Sequence, residues 1–287
     1  MDLIPQLLVN GIITGALLAI PAIGFTAIFA VLRFPNFAVA SHATIGAFAG
    51  YVANVWLGLP AAPALAAAFA VAGLVGMITD ELALKPLRPH GALTAAIASI
   101  ALTIVLENIV RFAFGNDLRG YDLPLVRDWR FSGVRIGPQQ IENLALAVAI
   151  MVAVFAGLRF TRIGKAMRAV ADNPGLAELK GIDPAMVARV TCFVGMGLVG
   201  AGGMLLGLGT SIDPLTGFRF ILPIFAAAVV GGLGSIPGAA LGAMVVGLGE
   251  ELSLMVLAPA YKSAVGFLAI VLVLGLRPRG LLGERAF

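Results

Sequence analysis

Cysteine, histidine and charge are all scarce in this chain of 287 residues. Cys192 is the single cysteine, so no disulfide can form within the chain. With 2 histidines beside it, a Cys/His zinc site lacks ligands. Charged residues make up 12% of the sequence, about half the usual share for a soluble domain. The patterns HExxH, CxxC and GxSxG are missing, and so is the phosphate-binding GxxxxGK[ST]. These gaps exclude a disulfide scaffold and leave hydrolytic chemistry and nucleotide binding without a motif. The expectation is a chain that is not an enzyme and holds no cofactor or metal of its own.

What the chain has in excess is oil. Apolar residues make up 60% of it and the mean hydropathy is +1.02. A soluble fold of this length has too little interior to hide so much apolar surface. One membrane span takes about 20 apolar residues, so the apolar total predicts roughly eight or nine spans. Apolar runs fall at 3–32, 38–58, 61–79, 92–114, 140–158, 188–212, 220–236, 237–257 and 260–276. The seventh and eighth are short and broken by Gly and Pro, and read either as two half-spans or as one re-entrant hairpin. Helices satisfy their own backbone groups in lipid. A β-barrel needs alternating strands, whereas Ala61–Met77 and Ile141–Leu158 are continuously apolar. The fold class is therefore all-α, a polytopic transmembrane bundle in one domain, 1–287. The opening MDLIPQ lacks a basic stretch and reads as the start of a retained span.

The pI of about 9.6 does not signal nucleic acid, because the basic residues are divided among short links between apolar runs. If the C-terminus is cytoplasmic, nine crossings put the N-terminus on the periplasmic side. The inner segments then carry Arg33, Lys85, Arg88, Arg159, Arg162, Lys165, Arg168, Lys180, Arg189, Arg277, Arg279 and Arg285, a majority of the 19 Lys and Arg. Segment 115–139 weakens the bias with four arginines on the outside, and its Tyr121 and Trp129 suit a cap over the outer mouth.

Segment 159–187 is the most polar part of the chain. Ile163–Val170 predicts a short amphipathic helix, Asn173-Pro174-Gly175 a turn, and Leu176–Gly181 a second helix closed by its glycine. So long a connection with helices of its own is either a surface for a cytoplasmic partner or a solvated loop that sets topology.

Polar residues inside apolar runs are candidates for the substrate route, because burying them in lipid is costly. Asn36, Ser41 and His42 form a polar patch after the first span; His42 is more readily a hydrogen-bonded structural residue than a proton carrier. Glu107 has Asn108 beside it and Arg111 one turn on, a spacing that favours a structural ion pair. Glu250 and Glu251 fall near the outer end of the eighth run. The glycine-rich Gly231, Gly232, Gly234, Pro237 and Gly238 lack the lysine of a phosphate loop and read as a packing hinge near the inner end of the route.

Four stretches carry a family resemblance. TRIGKAMRAVADNPGLAELKGID (161–183) resembles the cytoplasmic coupling loop of the branched-chain amino acid permeases of ABC importers. VVGGLGSIPGAALGA (229–243) is similar to their glycine-rich signature, RPRGLLG (277–283) to their ending, and residues 11–38 to their first span and the NFA after it. The resemblance covers most of the chain in order. It implies a permease subunit of the bacterial inner membrane that transports branched-chain or other amino acids, or related small amides or organic acids. The implied partners are a sister permease in a heterodimer, two ATP-binding cassette subunits that hold ATP and magnesium, a periplasmic substrate-binding protein, and lipid; nucleic acid is not among them. It also implies that Gly164, Arg168, Ala169, Asp172, Asn173, Ala177, Gly181 and Ile182 dock the loop on the ATPase, the small residues seating a helix in a cleft and Arg168 and Asp172 pairing with each other or the partner. After the NFA the family pattern is His-Gly and an acid, where this chain has Val39-Ala40-Ser41 with His42 displaced. The alternative is a transporter or channel driven by an ion gradient, which needs a buried relay from Glu107, His42 and the Glu250–Glu251 pair.

Overall fold

Backbone N–H and C=O groups must be satisfied locally where water is absent, and every apolar run of this chain is helical. The computed structural model describes residues 3–123, 127–131, 134–277 and 279–283. Along them run α1 (Leu3–Leu32), α2 (Val39–Tyr51), α3 (Ala61–Thr79), α4 (Ala92–Phe114), α5 (Pro138–Phe160), α6 (Arg162–Asp172), α7 (Pro174–Leu179), α8 (Pro184–Leu208), α9 (Thr216–Gly231), α10 (Ile236–Ser253) and α11 (Lys262–Leu276). A π turn, Val52–Trp56, prolongs α2, and π and 3-10 turns carry α3 on to His90. The chain is thus an all-α polytopic bundle. Five helical stretches are each long and apolar enough to cross a membrane: α1, α3 with its extension, α4, α5 and α8.

Contacts between distant residues define two ends of the bundle. At one end Arg33 donates to the carbonyl of Ala171, Arg189 lies 2.5 Å from Glu81, and the Leu281 N–H donates to Val230. At the other, Gln6 bonds the backbone of Arg135, Asn54 accepts from the Asp122 N–H, and Lys262 meets Glu251 at 2.5 Å. The segments at 33, 80–91, 159–187 and 277–283, which the charge pattern assigns to one side, therefore share an end. Arg285 lies outside the described residues. Helices α9 and α10 are about 24 and 27 Å long at a rise of ~1.5 Å per residue. They form an antiparallel pair reaching from end to end, not a shallow re-entrant turn.

The core is organised around α1 and α8, whose apolar stretches are 83% buried. Small residues let the backbones approach: a Cβ on Gly24 would strike the Gly195 carbonyl, and one on Gly46 would strike the Gly200 backbone. Pro21 sits inside α1 and fits against Gly202 of α8. At the rim, α5 buries only 11% of its apolar stretch. Exposed Ile104 and Phe112 of α4 and Val152 of α5 suit a face toward lipid.

Two local features depart from the apolar pattern. Residues 33–38 are not helical although Phe34, Asn36 and Ala38 are buried. Hydroxyls of α4 satisfy this irregular backbone: Ser99 Oγ accepts from the Phe37 N–H at 2.9 Å and Thr103 Oγ1 donates to its carbonyl at 3.1 Å. In segment 115–139, β1 (Trp129–Phe131) and β2 (Val134–Ile136) pair antiparallel, Trp129 opposite Ile136. No alternation of apolar residues signals that hairpin. Tyr121 of the same segment is half-buried against α2 and donates to the Ala47 carbonyl at 2.8 Å. Burial pushes its phenol pKa up, so it stays a neutral donor.

Candidate functional site

The polar segment folds as two consecutive helices. Thr161 starts α6: its Oγ1 accepts from the Gly164 N–H at 3.0 Å. Asn173 does the same for α7, accepting from the Leu176 N–H at 3.0 Å. Pro174 and Gly175 therefore belong to the first turn of α7 and not to the turn their sequence suggests, because Pro fits the first helical position. Gly181 ends α7 at φ 81°, with its N–H on Glu178 and the Ile182 N–H on Ala177, the paired bonds of a glycine-closed helix.

One side of this knob is committed to the chain itself. Met167, Val170, Ala177 and Val187 form a cluster joined by Val31, Leu158, Ala169 and Ile182. A Cβ on Gly164 would meet the Leu158 carbonyl and Cα at the end of α5. Within this chain Gly164 and Ala177 are buried and Ala169 and Ile182 half-buried against that cluster. Gly181 serves the backbone. The outward side carries Arg168, Asp172 and Asn173. Among the described residues Arg168 and Asp172 form no ion pair with each other, so both charges stay available. Sequence reasoning missed Leu176 and Leu179, which are 55% and 85% exposed on α7. Their signal was two leucines three residues apart in an otherwise polar stretch.

The glycine-rich stretch forms the corner between α9 and α10, at the same end. Gly232 and Gly234 have φ of 107° and 94°, and Ser235 Oγ starts α10 by accepting from the Gly238 N–H at 3.2 Å. Gly231 and Gly238 are packed backbone to backbone. The tail 279–283 closes over this corner, with the Leu281 and Leu282 N–H groups donating to Val230 and Gly231 at 2.9 Å each. Gly234, Ser235 and Pro237 line a cavity of about 660 Å³ whose other wall includes Arg159, Arg168 and Asp172. Gly231, Gly232 and Gly238 are thus closely packed against backbone, whereas Gly234 has open space around it and serves the turn through its positive φ. Beside the knob, Asp80 pairs with Arg88 while Glu81 holds Lys85 at 2.6 Å and Arg189.

The membrane-depth candidates are separate. Asn36 Oδ1 accepts from the Ala38 N–H at 3.0 Å, Ser41 Oγ donates to the Ala38 carbonyl, and His42 Nδ1 bonds the same carbonyl. His42 Nε2 lies 3.4 Å from Thr79. All three are buried at the start of α2. Glu107 pairs with Arg111 at 2.8 Å, and Asn108 donates back to Ile104. Glu251 meets Thr14 and Lys262 at the far end. Among the described residues no contact joins these groups into a relay, and no group of three His, Cys, Asp or Glu is placed to hold a metal.

A lipid-exposed helical bundle with an ordered two-helix knob and a glycine corner at one end is the architecture of a membrane permease. The chain belongs to the family described as the permease component of the branched-chain amino acid transport system, matched over residues 7–274. It is 32% identical to the high-affinity branched-chain amino acid transport system permease protein BraD of Pseudomonas aeruginosa, over 97% of this chain and 95% of the relative. The corresponding protein LivH of Escherichia coli (strain K12) is also 32% identical, at the same coverage. A probable branched-chain amino acid transport permease protein LivH of Methanocaldococcus jannaschii is 29% identical over 98% of this chain and 94% of its own length. Among solved structures, PsaBC from Streptococcus pneumoniae in complex with Fab aligns with TM-score 0.50 and 15% identity over 96% of this chain and 93% of that one, a likeness of fold alone.

Proposed function

We propose that this chain is the membrane permease of an ATP-driven importer of branched-chain or related amino acids, worked from the cytoplasmic side by two ATP-binding subunits through the α6–α7 knob. The observation that carries this reading is the division of the knob. Its inner side is fixed to α1, α5 and α8, and its outer side presents Arg168, Asp172, Leu176 and Leu179. Leucines as exposed as these favour burial against a protein partner. Arg33 and the Asp80–Arg88 and Glu81–Arg189 pairs tie the knob's surroundings to α1, α3 and α8. A displacement of the knob would thus reach the core helices as a body. The end bearing the knob also carries most Lys and Arg, which favours the cytoplasmic side of a bacterial inner membrane and a periplasmic N-terminus. A sister permease would complete the route, and a periplasmic binding protein would deliver substrate to the opposite end. ATPase contacts inside and the loaded binding protein outside supply the differential binding that alternating states require.

The test is ATP-driven uptake of L-leucine by vesicles containing the assembled complex, with co-purification of the ATPase as a second readout. R168E and L179D should each weaken co-purification and uptake while leaving insertion unchanged. Accumulation of leucine by this chain alone, in ATP-free vesicles under a proton gradient, would refute the reading. So would labelling that places residues 161–183 on the periplasmic face.

A further inference from the structure

At the end opposite the knob, the link between α8 and α9 holds an ion pair beside a cavity. Arg219, in the first turn of α9, donates through Nη2 to Asp213 Oδ1 at 2.7 Å and to Thr216 Oγ1 at 3.3 Å. Thr216 Oγ1 in turn accepts from the Asp213 N–H at 2.7 Å and donates to Asp213 Oδ1 at 3.0 Å. The Asp213 side chain is 16% exposed and that of Arg219 is 52% exposed. Next to the guanidinium lies a cavity of about 390 Å³ lined by Leu118, Thr210, Ser211, Arg219 and Phe220. Its walls are held together by reciprocal backbone bonds of 2.8 Å between Arg119 and Ile212.

We propose that this cavity is a receiving site for the zwitterionic head of an α-amino acid, with Arg219 taking the carboxylate and Asp213 the ammonium. The proposal rests on the amino-acid reading above. The first turn of α9 is held by Thr216, whose N–H and hydroxyl both donate to Asp213, and by the Gly217 N–H on Thr44 Oγ1, and a half-exposed ion pair adds little stability. Arg219 is therefore not required by the fold. A guanidinium has five donors in a planar fork. Only Nη2 of Arg219 is engaged among the described residues, which leaves donors for a carboxylate. Asp213 does not line the cavity itself but borders it through the guanidinium it pairs with, and its Oδ2 has no bond among the described residues. The two opposite charges neutralise each other, and a zwitterion replaces that pairing without leaving either charge alone. Leu118 and Phe220 offer apolar surface to an aliphatic side chain, and Thr210 and Ser211 add hydroxyls at the rim. The volume falls within the range of small-ligand pockets.

The experiment labels Ser211→Cys in the assembled transporter in vesicles, using a charged thiol reagent added from outside. Cys192 is buried and leaves the background silent. The probes are L-leucine, 4-methylpentanoate (no amine) and 3-methylbutylamine (no carboxylate). L-leucine should slow labelling about tenfold at saturation, when about nine-tenths of the sites are filled, and each half-ligand less than about twofold. In the S211C background, R219Q and D213N should each abolish protection; D213N retains the Oδ1 acceptor for the Thr216 hydroxyl, so it controls for folding of the link. Unchanged labelling at the highest soluble leucine concentration overturns the site, as does equal protection by all three probes or full protection in R219Q. Leucine uptake in the same vesicles separates the two claims. Uptake without protection sinks this site alone, whereas no uptake by the unlabelled complex sinks the amino-acid reading itself.

Discussion

Gly232 and Gly234 form a natural control pair for the corner between α9 and α10. Both have positive φ, 107° and 94°. An alanine at either site strains the backbone by about 1–3 kcal/mol. Their surroundings differ. A Cβ at Gly234 meets nothing within 4 Å, whereas one at Gly232 lies 2.5 Å from the Gly283 N, 2.7 Å from its Cα and 2.9 Å from the Arg279 carbonyl. All of these are backbone atoms, so relief requires the tail to lift. Overpacking of this kind costs about 1–3 kcal/mol more. G232A should therefore destabilise the detergent-solubilised chain by about 1–3 kcal/mol beyond G234A in reversible SDS unfolding. Removing residues 277–287 should erase that excess and leave G234A unaffected, as a double-mutant cycle requires when the interaction itself is the cause. Equal costs for the two alanines, or an excess that survives truncation, would refute the claim that the tail clasps this corner.

Two further perturbations test the end that carries the knob. Asp80 is nearly fully buried against Arg88, whose guanidinium also lies 5.8 Å from the Phe34 ring. D80A strands that charge and should cost about 3–5 kcal/mol, while the apolar pair D80L/R88M should recover much of it; a loss below ~1 kcal/mol for D80A in the same unfolding assay would show that the pair is not isolated from water. Thr161 starts α6, and T161A should cost about 1 kcal/mol of local stability, read as faster hydrogen exchange at Gly164 with T161S close to wild type. Unchanged exchange in T161A would mean that burial of Met167 and Val170, and not the cap, holds α6 in place.

The sequence made most helices legible because their cause is local. Continuous apolar runs have only one economical backbone conformation in lipid. The glycine that ends the knob, Gly181, was also legible locally, whereas Asn173-Pro174-Gly175 reads as a turn in sequence and starts α7 in the structure. The pairing of Glu107 with Arg111 followed from helical spacing, and the two lie 2.8 Å apart; His42 Nδ1 bonds the Ala38 carbonyl. What stayed hidden depended on residues far apart in the chain. Gly164 looks like a small residue left free for a partner until Leu158 is seen filling the space above it. Arg219 looks like one more basic residue until Leu118 is brought across to it from the other side of α5 and α8.

The glycine corner and the tail show why two short stretches can act as one feature. Residues 229–232 and 279–283 are separated by two helices, yet each supplies what the other lacks. The last carbonyls of α9, at Val230 and Gly231, have no partners within their own helix. The tail N–H groups of Leu281 and Leu282 satisfy them. In return, the absence of a side chain at Gly232 gives Gly280 and Gly283 room to approach. Neither stretch has a reason for its glycines when read alone. The clasp lies at the knob end, where Gly234, Ser235 and Pro237 face Arg168 and Asp172 across a shared cavity.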